Sequence, residues 1–367
     1  MLFRSNPYAQ IGGNPHPIVV GPETVYLPFS TIAAIDPHIQ SPRIQSWNVT
    51  MEQQIGADWG VSASYLGSYS DNLWGTMDLN PGVFMGLGPC TIQGVAYPVC
   101  STNSNLDVRR VLYQENPREA QLIGYLDLID DVGTSTYRGL KLSGERRSPG
   151  GISINGNYTW SRCFGLEMFN GTSAFGTGFV KPGDPDYDRG HCAFDRTHLA
   201  NFTMGYRTPE LTNALLRALA SNWRLSGIVN ARSGSWLSVT TGGDTAFTGR
   251  AITAQRVNKV SDDVYGAKTL NSYLNRAAFA QPAQGTFGNL ERNSIRGPGF
   301  WKMDLAVSRL LSFGAARNLE ARVETFNLLN NFNWGNPVTN LASGTFGRIL
   351  SAVGDPRIIQ FGVKYGF

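Results

Sequence analysis

No stretch of the 367-residue sequence approaches the roughly 18 consecutive apolar residues that a membrane-spanning helix requires. Mean hydropathy is slightly negative, at −0.19. A helical membrane protein is therefore excluded, but a β-barrel is not, because alternation dilutes the apolar residues of its strands. Charge is also scarce: 16% of residues are Asp, Glu, Lys or Arg, against about a quarter in an ordinary soluble domain. The net charge of +4 is small and its basic residues are scattered, so no nucleic-acid footprint is visible. Enzyme signatures are missing: there is no G-x-S-x-G, no H-E-x-x-H and no Walker loop. The start, M-L-F-R-S-N-P-Y, lacks the basic segment and apolar core of a signal peptide. An exported protein starting this way is expected to be a mature form or a fragment.

What is plentiful is glycine (42), tyrosine (14) and tryptophan (8). They are arranged with period two. The last eleven residues, R-I-I-Q-F-G-V-K-Y-G-F, put Ile359, Phe361, Val363, Tyr365 and Phe367 on one strand face. Ile358, Gln360, Gly362, Lys364 and Gly366 take the other. The length suits a membrane-spanning β-strand of roughly 9–11 residues. The last strand of a soluble sandwich has the same alternation, so the rest of the chain has to decide.

Residues 1–42, rich in Pro, Gly and Asn, read as a long loop. A hairpin follows, with Gln45, Trp47, Val49, Met51 and Ile55 on one face, a turn at Gly56–Asp58, then Trp59, Val61, Ala63, Tyr65 and Tyr69. Residues 71–133 read as irregular. A second hairpin over about 134–163 turns at 148–151 and shows Ile152, Ile154, Tyr158 and Trp160 against Ser153, Asn155, Asn157, Thr159 and Ser161. After a loop over 164–195, the third hairpin uses Ala200, Phe202, Met204 and Tyr206, then Trp223, Leu225, Val229 and Ala231, with a short helix expected over Asn213–Ser221. Residues 241–299 read as a loop. The fourth hairpin uses Trp301, Met303, Leu305 and Val307, a turn near Gly314, then Leu319, Ala321 and Val323. A last loop, 333–356, leads into the terminal strand.

Three regularities point to an all-β, antiparallel transmembrane β-barrel. Connections alternate short and long, as short periplasmic turns and long outer loops do. Aromatics collect at strand ends: Trp59, Tyr206, Trp223 and Phe367 at the short-turn end, and Trp47, Tyr69, Trp160 and Trp301 at the long-loop end. These would form two interfacial girdles, because Trp and Tyr rings favour the headgroup boundary. The opposite face is polar in strand after strand; Glu52, Arg224, Glu320, Arg322 and Glu324 would face the lumen. About nine strands are counted, whereas complete bacterial barrels have an even number. The expectation is a partial barrel: 1–42 an outer loop of a truncated barrel, 43–367 its C-terminal part.

Chemistry outside the wall is sparse. Cys90 and Cys100 bracket a short loop, Cys163 and Cys192 a longer one, and no C-x-x-C occurs. Two loop disulfides in an oxidising compartment fit this pattern. Asp184, Asp186 and Asp188 alternate in a way that suggests a calcium loop, but Gly190 comes one place late and no distal Glu is fixed. His191, Cys192, Asp195 and His198 are metal-ligating types, although a Cys163–Cys192 bridge explains the cysteine more simply. Thus no metal and no cofactor are expected. Trp236, Phe247, Tyr265, Tyr273 and Trp334 lie in long loops and are candidates for substrate contact.

Several stretches resemble the Oar-like TonB-dependent transporter family of Gram-negative bacteria. They are S-P-R-I-Q-S-W-N-V-T-M-E-Q-Q-I (41–55), Y-R-G-L-K-L-S-G-E-R-R (137–147), N-Y-T-W-S-R-C (157–163) and D-R-G-H-C-A-F-D-R-T-H (188–198). Further on come G-N-L-E-R-N-S-I-R-G-P-G-F (288–300), R-V-E-T-F-N-L-L-N-N-F-N (322–333) and the closing D-P-R-I-I-Q-F-G-V-K-Y-G-F. The resemblance implies location in the outer membrane and a barrel of about 22 strands around an N-terminal plug. It also implies energy from the TonB complex through that plug, and uptake of a bulky extracellular substrate. No plug, TonB-contacting segment or carboxypeptidase-regulatory-like domain is recognised in this sequence. Phe361, Val363, Tyr365 and Phe367 resemble the terminal-strand signal read by the barrel-assembly machinery. An outer-membrane structural or adhesive barrel, and a soluble secreted carbohydrate-binding β-protein, are the alternatives.

Overall fold

The computed structural model describes residues 29–120, 123–148, 150–166, 178–249, 254–313 and 317–367. Ten strands matter here: β1 (Phe29–Ile35), β2 (Arg43–Ile55), β3 (Trp59–Asp78), β4 (Ile123–Arg147), β5 (Ile152–Leu166), β6 (His198–Arg207), β7 (Trp223–Arg232), β8 (Phe300–Phe313), β9 (Arg317–Phe326) and β10 (Ile358–Gly366). β2 to β10 pair in chain order as one antiparallel meander, the nine strands expected from the alternation. Its two ends, β2 and β10, do not meet, so the sheet is an open, partial barrel wall.

The register shows why the sequence makes this wall. Met51 pairs with Ala63, Ala63 with Leu142, Leu142 with Tyr158, and Tyr158 with Ala200. Ala200 pairs with Ala231, which pairs with Trp301. The neighbouring row on the other face is Glu52, Ser62, Ser143, Asn157, Asn201, Asn230 and Lys302. A slip of one residue anywhere would turn a strand's apolar set to the polar face, so these rows fix the pairing. The connections are short at 56–58 and 148–151 and long over 79–122, 167–197, 233–299 and 327–357, while the connection near 214, expected to be short, runs over 208–222 and holds a helix. The expected turn at Gly314 lies outside the described residues. The expected helix forms as α1 (Ala214–Ala220), where the Asn213 side chain accepts from the Leu215 and Leu216 amides.

The structure corrects three loop readings. Within 1–42, Phe29–Ile35 is a strand, running parallel to β4 on the flank that β5 leaves free above Gly133. The irregular reading of 71–133 is too broad, because β3 continues to Asp78 and β4 starts at Ile123. A bulge explains the miss: Asn72 takes a φ of +54° and the register shifts between Ser70 and Gly75, which breaks the alternation. The long loop over 241–299 contains short ribbons, among them Tyr265–Thr269 with Ser272–Leu274.

Those long connections hold the hydrophobic core. Val239, Val257, Leu274, Ala278, Leu290, Leu341 and Ile349 pack into one buried cluster. Backbone bonds tie its parts: the Thr240 amide donates to Thr339, Leu341 to Thr240, and Tyr273 to Gly347. The result is a packed cap at the long-loop end of the wall.

Candidate functional site

The outward face of the wall is apolar and accessible. Met51, Val49 and Phe361 are 74%, 63% and 77% exposed, values that no soluble sheet with a covered face would show. Phe361, Val363 and Tyr365 carry no second layer, and Phe367 is almost fully exposed. All eight aromatics proposed for girdles are exposed. The lower set brackets the short turns: Trp59 follows 56–58 and pairs with Ile55, Tyr206 pairs with Ile152 just after 148–151, and Trp223 follows α1. Arg146 sits over the Trp59 ring and Arg309 over that of Trp223. In the upper set, Trp47 lies flat across Gly67, where a Cβ would come within 2.3 Å of its ring. Glycine is therefore required opposite this tryptophan.

On the polar face, Arg322 stands 3.4 Å from Glu324 and 3.9 Å from Glu320. Arg224 pairs in register with Ser308, which pairs with Arg322, so the two arginines lie on one row. Glu52 lines a groove of about 560 Å³ near the 56–58 turn. Arg322 is paired and half exposed, and Glu52 and Arg224 are exposed, as expected of a solvated face.

Cys90 is bonded to Cys100 in the cap, with Cα atoms 5.3 Å apart, and Cys163, on β5, is bonded to Cys192 in the connection that follows it, at 5.4 Å. The three aspartates of 184–188 are drawn apart by different cations. Asp184 accepts from Lys181 at 2.8 Å, Asp186 pairs with Arg189 at 2.7 Å, and Asp188 pairs with buried Arg256 at 2.6 Å. The Lys181 bond holds the Asp184 carboxyl below the usual range. Among the described residues no cluster of His, Cys, Asp or Glu is arranged to hold a metal ion.

His191 and His198 also separate. His198 bonds the Tyr158 hydroxyl at 2.7 Å on the wall. His191 bonds Asp195 at 3.0 Å and stacks on Trp236, with centroids 3.8 Å apart, while Trp236 donates to the same Asp195 oxygen. Burial pushes the His191 pKa down, more than Asp195 raises it. The cap aromatics expected to meet substrate are mostly spent internally. Tyr273 is buried, its hydroxyl pushed up to about 12 by desolvation, and Tyr265 and Trp334 pack on the same cluster. Phe247 packs on Phe84 beneath Arg109.

Sequence reasoning missed the buried arginines. Arg109 donates to the carbonyls of Val83, Thr102 and Phe247, and Arg256 to those of Leu290 and Tyr187. Arg256 also lies 3.8 Å over the Tyr187 ring. These bonds pin separate loops together. Their partners are up to 138 positions away, and nothing in the local pattern marks such arginines.

A family model described as "Outer membrane beta barrel domain" matches residues 3–360. No curated protein matches the sequence. Among solved structures, the outer membrane transporter YddB from Escherichia coli is similar, with a TM-score of 0.47 and 10% identity over 92% of this chain and 34% of that one. The FrpB iron transporter from Neisseria meningitidis gives 0.41 and 13%, over 92% and 33%. The ferripyoverdine receptor of the outer membrane of Pseudomonas aeruginosa gives 0.42 and 12%, over 89% and 27%. The chain thus spans about a third of the length of these transporters.

Proposed function

We propose, from the premise that this chain belongs to the outer membrane β-barrel domain family and lies in the outer membrane of a Gram-negative bacterium, that it is the C-terminal wall and cap of a TonB-dependent transporter. The supporting observation is a nine-stranded meander with a mostly apolar, exposed face, whose edge strands β2 and β10 each pair on one side only among the described residues. In lipid every backbone N–H and C=O needs a partner, so an open sheet edge is not tolerated there. In this reading further strands pair with β2 and β10 to close the barrel. The rows through Glu52 and Arg224 become the lumen wall. The eight exposed aromatics become the two girdles. Cys90, Cys100, Cys163 and Cys192 staple the outer loops. Phe361, Val363, Tyr365 and Phe367 present the terminal strand to the barrel-assembly machinery.

In this reading the cap gathers a bulky substrate at the outer mouth, and TonB acts on a plug that the closed barrel surrounds. The chain makes and breaks no bond and is not an enzyme. Two measurements test the proposal. Cell fractionation should place the chain in the outer membrane and detergent should be needed to extract it; a monodisperse, detergent-free preparation would overturn the barrel. Uptake by cells carrying the closed barrel should disappear when TonB is deleted. Uptake or adhesion indifferent to TonB would favour a structural or adhesive barrel.

A further inference from the structure

The outward face is not apolar throughout. Just above the Leu140–Trp160 pair, Arg138 and Arg162 stand directly opposite each other on β4 and β5. Both are exposed, and neither forms an ion pair among the described residues. Like charges facing each other across a strand pair are unfavourable, and something negative at this level would offset that cost.

Two adjoining grooves, of about 620 and 590 Å³, share these two arginines. Arg296 enters the first and Arg189 the second. No carboxylate lines either groove among the described residues. Arg296 is held in place, lying 4.0 Å over the Trp236 ring and donating to the Thr197 hydroxyl at 2.6 Å. Arg162 lies 5.0 Å over the Phe164 ring. Arg189 is partly neutralised by Asp186. Below the arginines, the floor of the first groove is Tyr65, Leu140 and Trp160, part of the apolar face. Guanidinium above and hydrocarbon below is the profile of an amphiphile with an anionic head.

We infer that this face binds a phosphorylated lipid of the outer leaflet, with its phosphate between Arg138, Arg162 and Arg296 and its acyl chains along Tyr65, Leu140 and Trp160. Arginine suits the task because its planar fork matches phosphate oxygens two at a time. The inference rests on the barrel reading, which sets this face toward lipid and this end outward.

The test uses the full chain purified in detergent, with the Arg138→Gln/Arg162→Gln double variant and Arg162→Lys beside it. The probe is diphosphoryl lipid A; its dephosphorylated form and inorganic phosphate are the controls. The unaltered chain should retain the diphosphorylated lipid, and the double variant should hold it at least about tenfold more weakly. Arg162→Lys should fall between them, since it keeps the charge and loses the fork. Equal retention by the double variant overturns the inference, and so does equal retention of the dephosphorylated lipid. Displacement by millimolar phosphate would reassign the patch to a free anion. Fractionation of all three proteins separates the two ideas. If the unaltered chain fails to embed, barrel and patch fall together; if all embed and lipid retention is unchanged, only the patch falls.

Discussion

The wall and the cap of this protein are stabilised in opposite ways. Wall strands bury almost nothing apolar: among the described residues, the buried apolar side chains lie in the long connections, apart from Leu166 at the upper end of β5. Their large apolar side chains instead face outward, as Val363 and Met51 do at 75% and 74% exposure. Cohesion comes from ladder hydrogen bonds and from lipid on one face and water on the other. The cap follows soluble rules, with a closed cluster around Val239, Val257 and Ala278 that is fully shielded, and buried guanidinium groups that meet carbonyls and a carboxylate. One chain thus folds in two solvents, and the same residue type has a different role in each. Leucine is exposed on the apolar face of the wall at position 142 and buried in the core at position 290.

The comparison is broken most strongly at the buried ion pair. Arg256→Met strips the Asp188 carboxylate of its guanidinium and should cost the cap about 3–5 kcal/mol. Limited proteolysis should then cut the 233–299 connection while the wall stays folded and resistant. If the wall unfolds at the same denaturant concentration, the two regions are not separable. Next comes Leu142→Arg, which puts a charge on the lipid face between two paired strands. It should cost about 2–4 kcal/mol when folding is measured into bilayers. No loss would show that this face does not meet hydrocarbon.

Acid should act on the cap before the wall. Burial lowers the His191 pKa below its ordinary 6.5, against the pull of Asp195 and with Arg162 and Arg296 nearby. The unfolded chain therefore binds the proton more readily. The stabilisation is complete above about pH 6.5 and is lost as pH falls from there through the folded value. Trp236 emission should report loosening over that window, and His191→Gln should flatten the response. The smallest effect is expected on the lumen wall. Arg322 is half exposed between Glu320 and Glu324, so Arg322→Gln should change stability by no more than about 1 kcal/mol in a denaturant titration. A larger loss would mean that the polar face is less solvated than its exposure suggests.

Legibility follows the same division. In the wall, a residue's face is set by its parity, and a strand's neighbours are the strands next to it in sequence. The alternation from Gln45 to Phe367 therefore carried nine strands and both faces, as well as the end at which each aromatic sits. It failed at Asn72, where one left-handed residue breaks the count. It also failed at Phe29–Ile35, whose partner is a strand some 90 positions later. In the cap, the Tyr265, Tyr273 and Trp334 side chains were expected to meet substrate because they lay in loops, yet they are packed with the core.

The sequence by itself determined the wall, because a two-residue period needs only local information and lipid rewards one face of it. Only the tertiary structure decided the cap. Arg109 meets Phe247, and Arg256 meets Asp188, across spans of 138 and 68 positions that carry no period. It also decided that Arg138, Arg162 and Arg296 share one groove, since that depends on how a loop folds back over a strand pair.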